Sequence, residues 1–408
     1  MKTPGRLRAL LLALVVVSLL WGVIATWTAV QRLSAANQVV AGSGQLSGYA
    51  QQLYYSLADA DATQANAYLS GIEPASDVER IRGDINQAAI DVQAIGAADS
   101  DPVIQADLTT LTTGISAYTG TIGEADAFNR DGLPVGASYL REASGLMRGT
   151  LLPAASRVYK SENARLKAGY AQATGFPFLA VAAAVLAGLC AIAVQYRLAR
   201  RTNRVLNPGL VAATLIGLLS LAWLLGSLAS EGSGLLAGQD RGSAPAQALT
   251  QADVTALQMR SDESLTLINQ DGADDSTEKD FQELWPRLQG QLASAESAGA
   301  HSPGHAQARA AVTDANEWYH QHQQVYSANS DGDYTTAVGR ATGSSTTSFQ
   351  SLEAALTNGI KADQATAADS AASGDDALNG LVAGMLVAAL LMAATGTWGV
   401  YNRLAEYR

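Results

Sequence analysis

Four stretches of the chain carry no charged side chain: 9–30, 176–194, 208–230 and 378–400. Each is long enough to cross a bilayer core of roughly 30 Å as a helix. Between them lie two polar segments in which apolar residues recur every three or four positions, the spacing of one helix face.

In the first segment Leu46, Leu53, Leu57 and Ala60 form one stripe, which Gly71 and Pro74 end. Val78, Ile81, Ile85, Ala88, Val92 and Ile95 form a second. Asp101-Pro102 predicts a cap and first turn for a third, Ile104, Leu108, Leu111, Ile115, Tyr118 and Ile122. Beyond Asn129-Arg130-Asp131-Gly132 a fourth runs through Leu140, Ala143, Met147, Leu151, Val158 and Leu166, with a kink expected at Pro153. The second segment has the same count: Leu257 to Ile268, then Phe281, Leu284, Leu288 and Leu292, then a helix starting at Ser302-Pro303, then Phe349, Leu352 and Leu356.

The chain is written twice, with a period close to 200. Asn129, Asp131, Gly132 and Ala137 match Asn329, Asp331, Gly332 and Ala337, while Leu152, Ala154 and Ala155 match Leu352, Ala354 and Ala355. Tyr118 corresponds to Trp318 and Gly71 to Gly272. Each unit reads span, polar segment, span.

Charge orients the spans, because short loops rich in Lys and Arg stay in the cytoplasm. The N-terminal eight residues, the 195–207 loop and the 401–408 tail sum to +8, whereas 31–174 carries −5 and 231–377 carries −14. The expectation is an all-α membrane protein with four transmembrane helices and two tandem extracellular up-and-down four-helix bundles. Its parts are 1–8 cytoplasmic, 9–30 membrane, 31–174 first bundle, 175–194 membrane, 195–207 cytoplasmic, 208–230 membrane, 231–377 second bundle, 378–400 membrane and 401–408 cytoplasmic. The first span is too long for a signal-peptide core and lacks a clean cleavage site, so it reads as uncleaved.

The one cysteine, Cys190, lies in a span, so no disulfide framework is expected. The acidic exterior disfavours nucleic acid. No phosphate loop, H-E-x-x-H, G-x-S-x-G or kinase set occurs, and the cytoplasmic pieces are too short to bury a catalytic core. The expectation is no enzyme, no cofactor and no metal. Of the four histidines, His301 and His305 are four apart and His320 and His322 two apart; they read as surface residues more readily than as a zinc site. Asn269, Asp271, Gly272 and Glu278 fit part of a calcium-loop template, but its first position is Leu267.

Polar residues on the bundle helices are the candidate ligand-binding or interhelical cluster: Tyr54, Tyr55, Asp59, Asp61 and Asn66 on the first helix, Tyr139, Arg141 and Arg148 on the fourth. Arg141 and Arg148, seven apart, share a helical face. They suit either an interhelical carboxylate or a small acidic ligand. Gly380 and Gly384 form G-x-x-x-G for close helix packing, within one chain or across a homodimer. Arg197, Arg200, Arg201 and Arg204 mark the basic loop as the output surface. The stretch from Tyr196 to Pro208 resembles the linkers after the second span of chemoreceptors and histidine kinases, yet it returns to the membrane.

Three further stretches carry a family likeness: Ser56-Leu57-Ala58-Asp59-Ala60-Asp61-Ala62 with Tyr68-Leu69-Ser70-Gly71, Asn129 to Gly136, and Tyr139-Leu140-Arg141-Glu142-Ala143-Ser144. Through them the chain resembles actinobacterial membrane signalling proteins of the GlnX type, whose exterior bundles are similar to chemoreceptor sensor domains. That resemblance implies relay from an extracellular amino-acid-binding lipoprotein to a cytoplasmic Ser/Thr kinase. An accessory subunit of an envelope or transporter complex and a direct small-molecule sensor are the rival expectations. A transporter is disfavoured because the spans hold no ionisable residue but Cys190.

Overall fold

The computed structural model describes residues 3–71, 74–202, 207–269, 276–377 and 380–405. They are helical throughout, with short connections and no strand among the described residues. Four of the helices are long and apolar enough to cross a membrane. The chain divides into two compact units.

Unit 1 comprises Met1–Val40, Ala168–Leu236 and Ser370–Arg408. It contains α1 (Thr3–Asn37), α7 (Phe178–Thr202), most of α8 (Pro208–Gly238) and α14 (Leu381–Ala405). α1 packs on both α14 and α7, around Trp21, Ala25, Ala29, Ala180, Leu224, Met385 and Met392. The outer faces expose large apolar side chains such as Leu20, Val23, Leu186, Leu219 and Leu390. A surface of this kind suits lipid contact. Gly384 lies against Trp223, whose ring would stand 2.1 Å from an added Cβ. Gly380 instead sits in the turn before α14 with φ 80 and no close neighbour. Near the end of α1, Arg32 donates to the carbonyls of Gln172 (3.1 Å) and Ala173, in the last turn of the helix that ends at Thr174.

Unit 2 comprises Ala41–Lys167 and Ala237–Asp369. Its first half holds α2 (Gly44–Leu69), α3 (Ala75–Ala98), α4 (Pro102–Arg130), α5 (Val135–Leu146) and the start of α6 (Leu152–Thr174). The second half holds α9 (Ala244–Asn269), α10 (Ser276–Ala298), α11 (His305–Ser330), α12 (Tyr334–Arg340) and most of α13 (Thr346–Ala377). The repeat is visible element by element. Gly132 (φ 68) and Gly332 (φ 81) occupy matching left-handed turns, which a side chain would strain.

π-helical turns also recur, at Gln38–Ser43 and Gln239–Ser243, and again at Met147–Leu151 and Ala341–Ser345. The fourth stripe is therefore broken by a π-turn in both copies. Pro153 falls in the first turn of α6, where proline is tolerated, and α13 has no proline in its first turn. The expected proline kink is thus a repeat-wide π-turn.

Asp101 caps α4, accepting from the Val103 amide at 2.9 Å. α11 starts at His305, later than Ser302-Pro303, because residues 300–304 are turn. The buried Asp363 of α13 holds that turn by accepting the Gly304 amide at 2.8 Å. One period earlier the buried Glu162 lies at the corresponding corner, where Arg165 joins it (3.1 Å) to Asp101 (2.8 Å) and Asp99.

A shared core fills the unit. Leu53, Leu57, Ile95, Leu111, Tyr118, Leu140, Met147 and Leu151 serve the first half, and Leu257, Met259, Phe281, Leu288, Trp318 and Leu352 the second. α2 and α9 pack directly on each other and are buried nearly all round. Every residue from Ser56 to Ala62 is buried, as is every residue from Ala252 to Leu267 except Gln258. Burial of a polar helix on all sides is what creates the site.

Candidate functional site: a buried polar seam

α9 brings Asp253, Arg260, Asp262 and Glu263 into the interior, and α2 brings Asp59 and Asp61. Buried charge must be paired or neutralised, and the seam between these helices does so in three groups.

In the first, Arg80 of α3 grips Asp59 with two bonds, Nε to Oδ2 at 2.8 Å and an Nη to Oδ1 at 2.7 Å, and also reaches Glu353 of α13. Tyr55, Asp84 and Asp253 lie within reach of the Arg80 charge.

In the second, Asp61 accepts from Ser144 Oγ at 2.7 Å and Ser261 Oγ at 2.9 Å. Arg148 donates to Ser261 Oγ at 2.9 Å and pairs with Asp262, while its Nε lies 3.9 Å from Asp61. Burial pushes the Asp262 carboxyl up to about 7 against the pull of Arg148, with Asp280 and Asp61 adding to the rise.

In the third, Arg260 pairs with Glu263 and donates to Asn66, to Thr346 and, at 3.2 Å, to the Ala341 carbonyl. Ser345 donates to Glu263 at 2.7 Å. His322 is 1 % exposed and stacked on Phe281 at 3.5 Å. It directs Nδ1 at Glu263 (3.4 Å) and Nε2 at Glu278 (3.2 Å). Both nitrogens can donate to carboxylates only as imidazolium. Burial opposes that charge, but the bonds to the two glutamates outweigh it and raise His322 to about 9. Burial likewise opposes ionisation of Glu263, and Arg260 and His322 hold it at about 2.

The residues expected to cluster divide accordingly. Tyr55, Asp59, Asp61, Asn66 and Arg148 lie in the seam. Tyr54 stacks on Tyr159, with ring centroids 6.4 Å apart, and burial raises its hydroxyl. Tyr139 stacks on Phe128 at 5.2 Å. Arg141 is exposed and donates to Ser138 Oγ at 3.0 Å. It does not join Arg148, which pairs with Asp262 and Ser261 of α9. The histidines also divide: His322 is a core residue, contrary to the expected surface set. No group of three metal-binding side chains converges among the described residues.

The Asp271 and Gly272 positions of the calcium template lie outside the described residues, and Glu278 is taken up by His322. Arg197 is exposed, while the side chains of Arg200, Arg201 and Arg204 lie outside the described set.

Sequence reasoning missed Arg80, Asp84, Asp253, Arg260, Glu263, His322, Ser345 and Glu353. For His322 a signal existed: Ala315, Trp318, His322 and Val325 follow one helical stripe and are all buried. For α9 the repeat itself was the signal, since Asp262 follows Asp61 by one period.

Residues 35–171 match a family model described as an actinobacterial sensor domain. The match takes in α2 to α5 and nearly all of α6, and supports a sensor protein of actinobacterial type with a sensing or signalling role. The second copy lies outside the matched range. No curated protein matches the chain.

Proposed function

We propose that this chain is a non-enzymatic, multi-pass signal transducer in the cell membrane, with both termini cytoplasmic and two four-helix bundles outside. It relays the occupancy of an extracellular amino-acid-binding lipoprotein to a cytoplasmic Ser/Thr kinase. The observation that carries the reading is the sensor-domain match, which falls between two apolar spans. The charge asymmetry of the segments supports the orientation. Short cytoplasmic pieces support an output made by another protein.

In this mechanism a partner settling on the bundles displaces α2 or α9 by about 1–2 Å, the scale of helix shifts in switching proteins. α1 leads into α2 through the Gln38–Ser43 π-turn, and α8 into α9 through Gln239–Ser243. Such turns mark places where a helix can change register. The displacement ends at the 195–207 loop, whose arginines form the surface the kinase reads. A second reading, direct sensing of a small molecule, draws on the charged seam.

The test is crosslinking and capture of tagged protein from native membranes, with and without glutamate, aspartate or glutamine. Recovery of a solute-binding lipoprotein and a kinase in amounts that follow the amino acid supports relay. Direct amino-acid binding by the purified chain favours the second reading. Recovery of permease or envelope subunits alone, unchanged by ligand, overturns both.

A further inference from the structure

The first group of the seam has a surplus of acid that its hydrogen bonds do not resolve. Arg80 on α3 joins Asp59 on α2 to Glu353 on α13, and Tyr55, Asp84 and Asp253 lie near enough to feel these charges. Four carboxyls thus share the charge of one guanidinium, which bonds two of them. Arg80 is engaged by Asp59 and Glu353, and Tyr55 bonds to Glu353. Asp84 Oδ2 is buried with no hydrogen-bond donor. Asp253 is 1 % exposed, and neither of its oxygens meets a donor. An ionised carboxylate in such a place costs more than the fold can supply, so the group takes up a proton.

We propose that Asp84 and Asp253 form a proton-binding latch at the contact of α2, α3, α9 and α13, closing the seam when protonated and loosening it when they ionise. The elements latched belong to both halves of the repeat, so the proton acts on the relation between them. Arg80, whose side chain is 40 % exposed, covers the cluster on its solvent side and gives protons their route.

The direction follows from the environment. Burial first, and Asp59 next, push Asp84 up to about 9. Burial first, then Glu353 and Asp59, push Asp253 the same way. Opening returns both toward the ordinary value near 3.8. Closure is therefore fully favoured below that ordinary value and is lost as pH rises toward about 9. The latch answers alkalinity, whichever partner the bundles take.

Infrared difference spectra of the full-length protein in lipid nanodiscs, stepped from about pH 6 to about pH 10, read the carboxyls directly. A protonated-carboxyl C=O band that disappears over this range, and is diminished in D253N and D84N, is expected. Spin labels at the exposed positions Arg82 on α3 and Ser351 on α13, with Cys190 replaced by Ala, read the seam. Their separation should grow with pH in the wild type and stay constant in D84N/D253N, since Asn mimics the protonated acid. Absence of a titrating band in the wild type, or the same distance change in the double variant, overturns the latch. Neither readout involves a lipoprotein or kinase, so the result is separable from the relay.

Discussion

Replacing His322 by Gln removes the imidazolium between Glu263 and Glu278 while keeping similar bulk. Raising a histidine from 6.5 to about 9 corresponds to about 3 kcal/mol, at roughly 1.4 kcal/mol per pH unit. The side chain is almost fully buried, so solvent screening takes little from that figure. Because the folded-state value is raised, the contribution is complete below about pH 6.5 and fades as pH climbs through about 9.

At about pH 6 the full-length H322Q protein should therefore melt roughly 10 °C lower than wild type, given about 2–4 °C per kcal/mol for a unit of this size. The gap should shrink toward about pH 10, where the wild-type histidine is neutral. Circular dichroism melts across pH measure the stability. Selectively labelled histidine followed by NMR locates the midpoint. A His322 midpoint near 6.5, or a melting difference independent of pH, would refute the assignment of a buried imidazolium.

Arg148→Met should cost about 3–5 kcal/mol by leaving Asp262 and Asp61 without their cation, and adding D262N should recover part of it; melts of single and double variants check this. Gly384→Leu should collapse the packing of unit 1, because Trp223 occupies the space of the new side chain; loss of monodisperse protein in detergent is the readout, and W223A should partly restore it. Gly132→Ala and Gly332→Ala should each destabilise by about 1–2 kcal/mol, the penalty for a side chain in a left-handed turn, again measured by melting.

The helical class, the four candidate spans and the period were legible in the sequence because each rests on side-chain repetition that a single chain displays. Hydropathy reveals 9–30 or 208–230 without any knowledge of neighbours. Asp101-Pro102 announces its own cap. The polar seam was only half visible, since burial of a polar helix is a property of what surrounds it. Nothing local in Asp253 or Arg260 says that α2 packs on α9. Arg141 and Arg148 were placed on one helical face by counting sevens, which says nothing of what each will meet. Arg141 stays exposed while Arg148 finds Asp262 on α9, a partner that only the fold brings. His322 lay on an apolar stripe and announced its burial, but its partner glutamates come from α9 and α10, whose approach only the fold determines.

The central claim is that an event outside the cell reaches a kinase inside through this chain. In native cells carrying the wild-type gene, a deletion, or the deletion complemented, an external step of glutamate should change phosphorylation of the kinase's substrate within the period of uptake. That change should vanish in the deletion and return on complementation. A phosphorylation response of the same size and timing in the deletion strain would contradict the account.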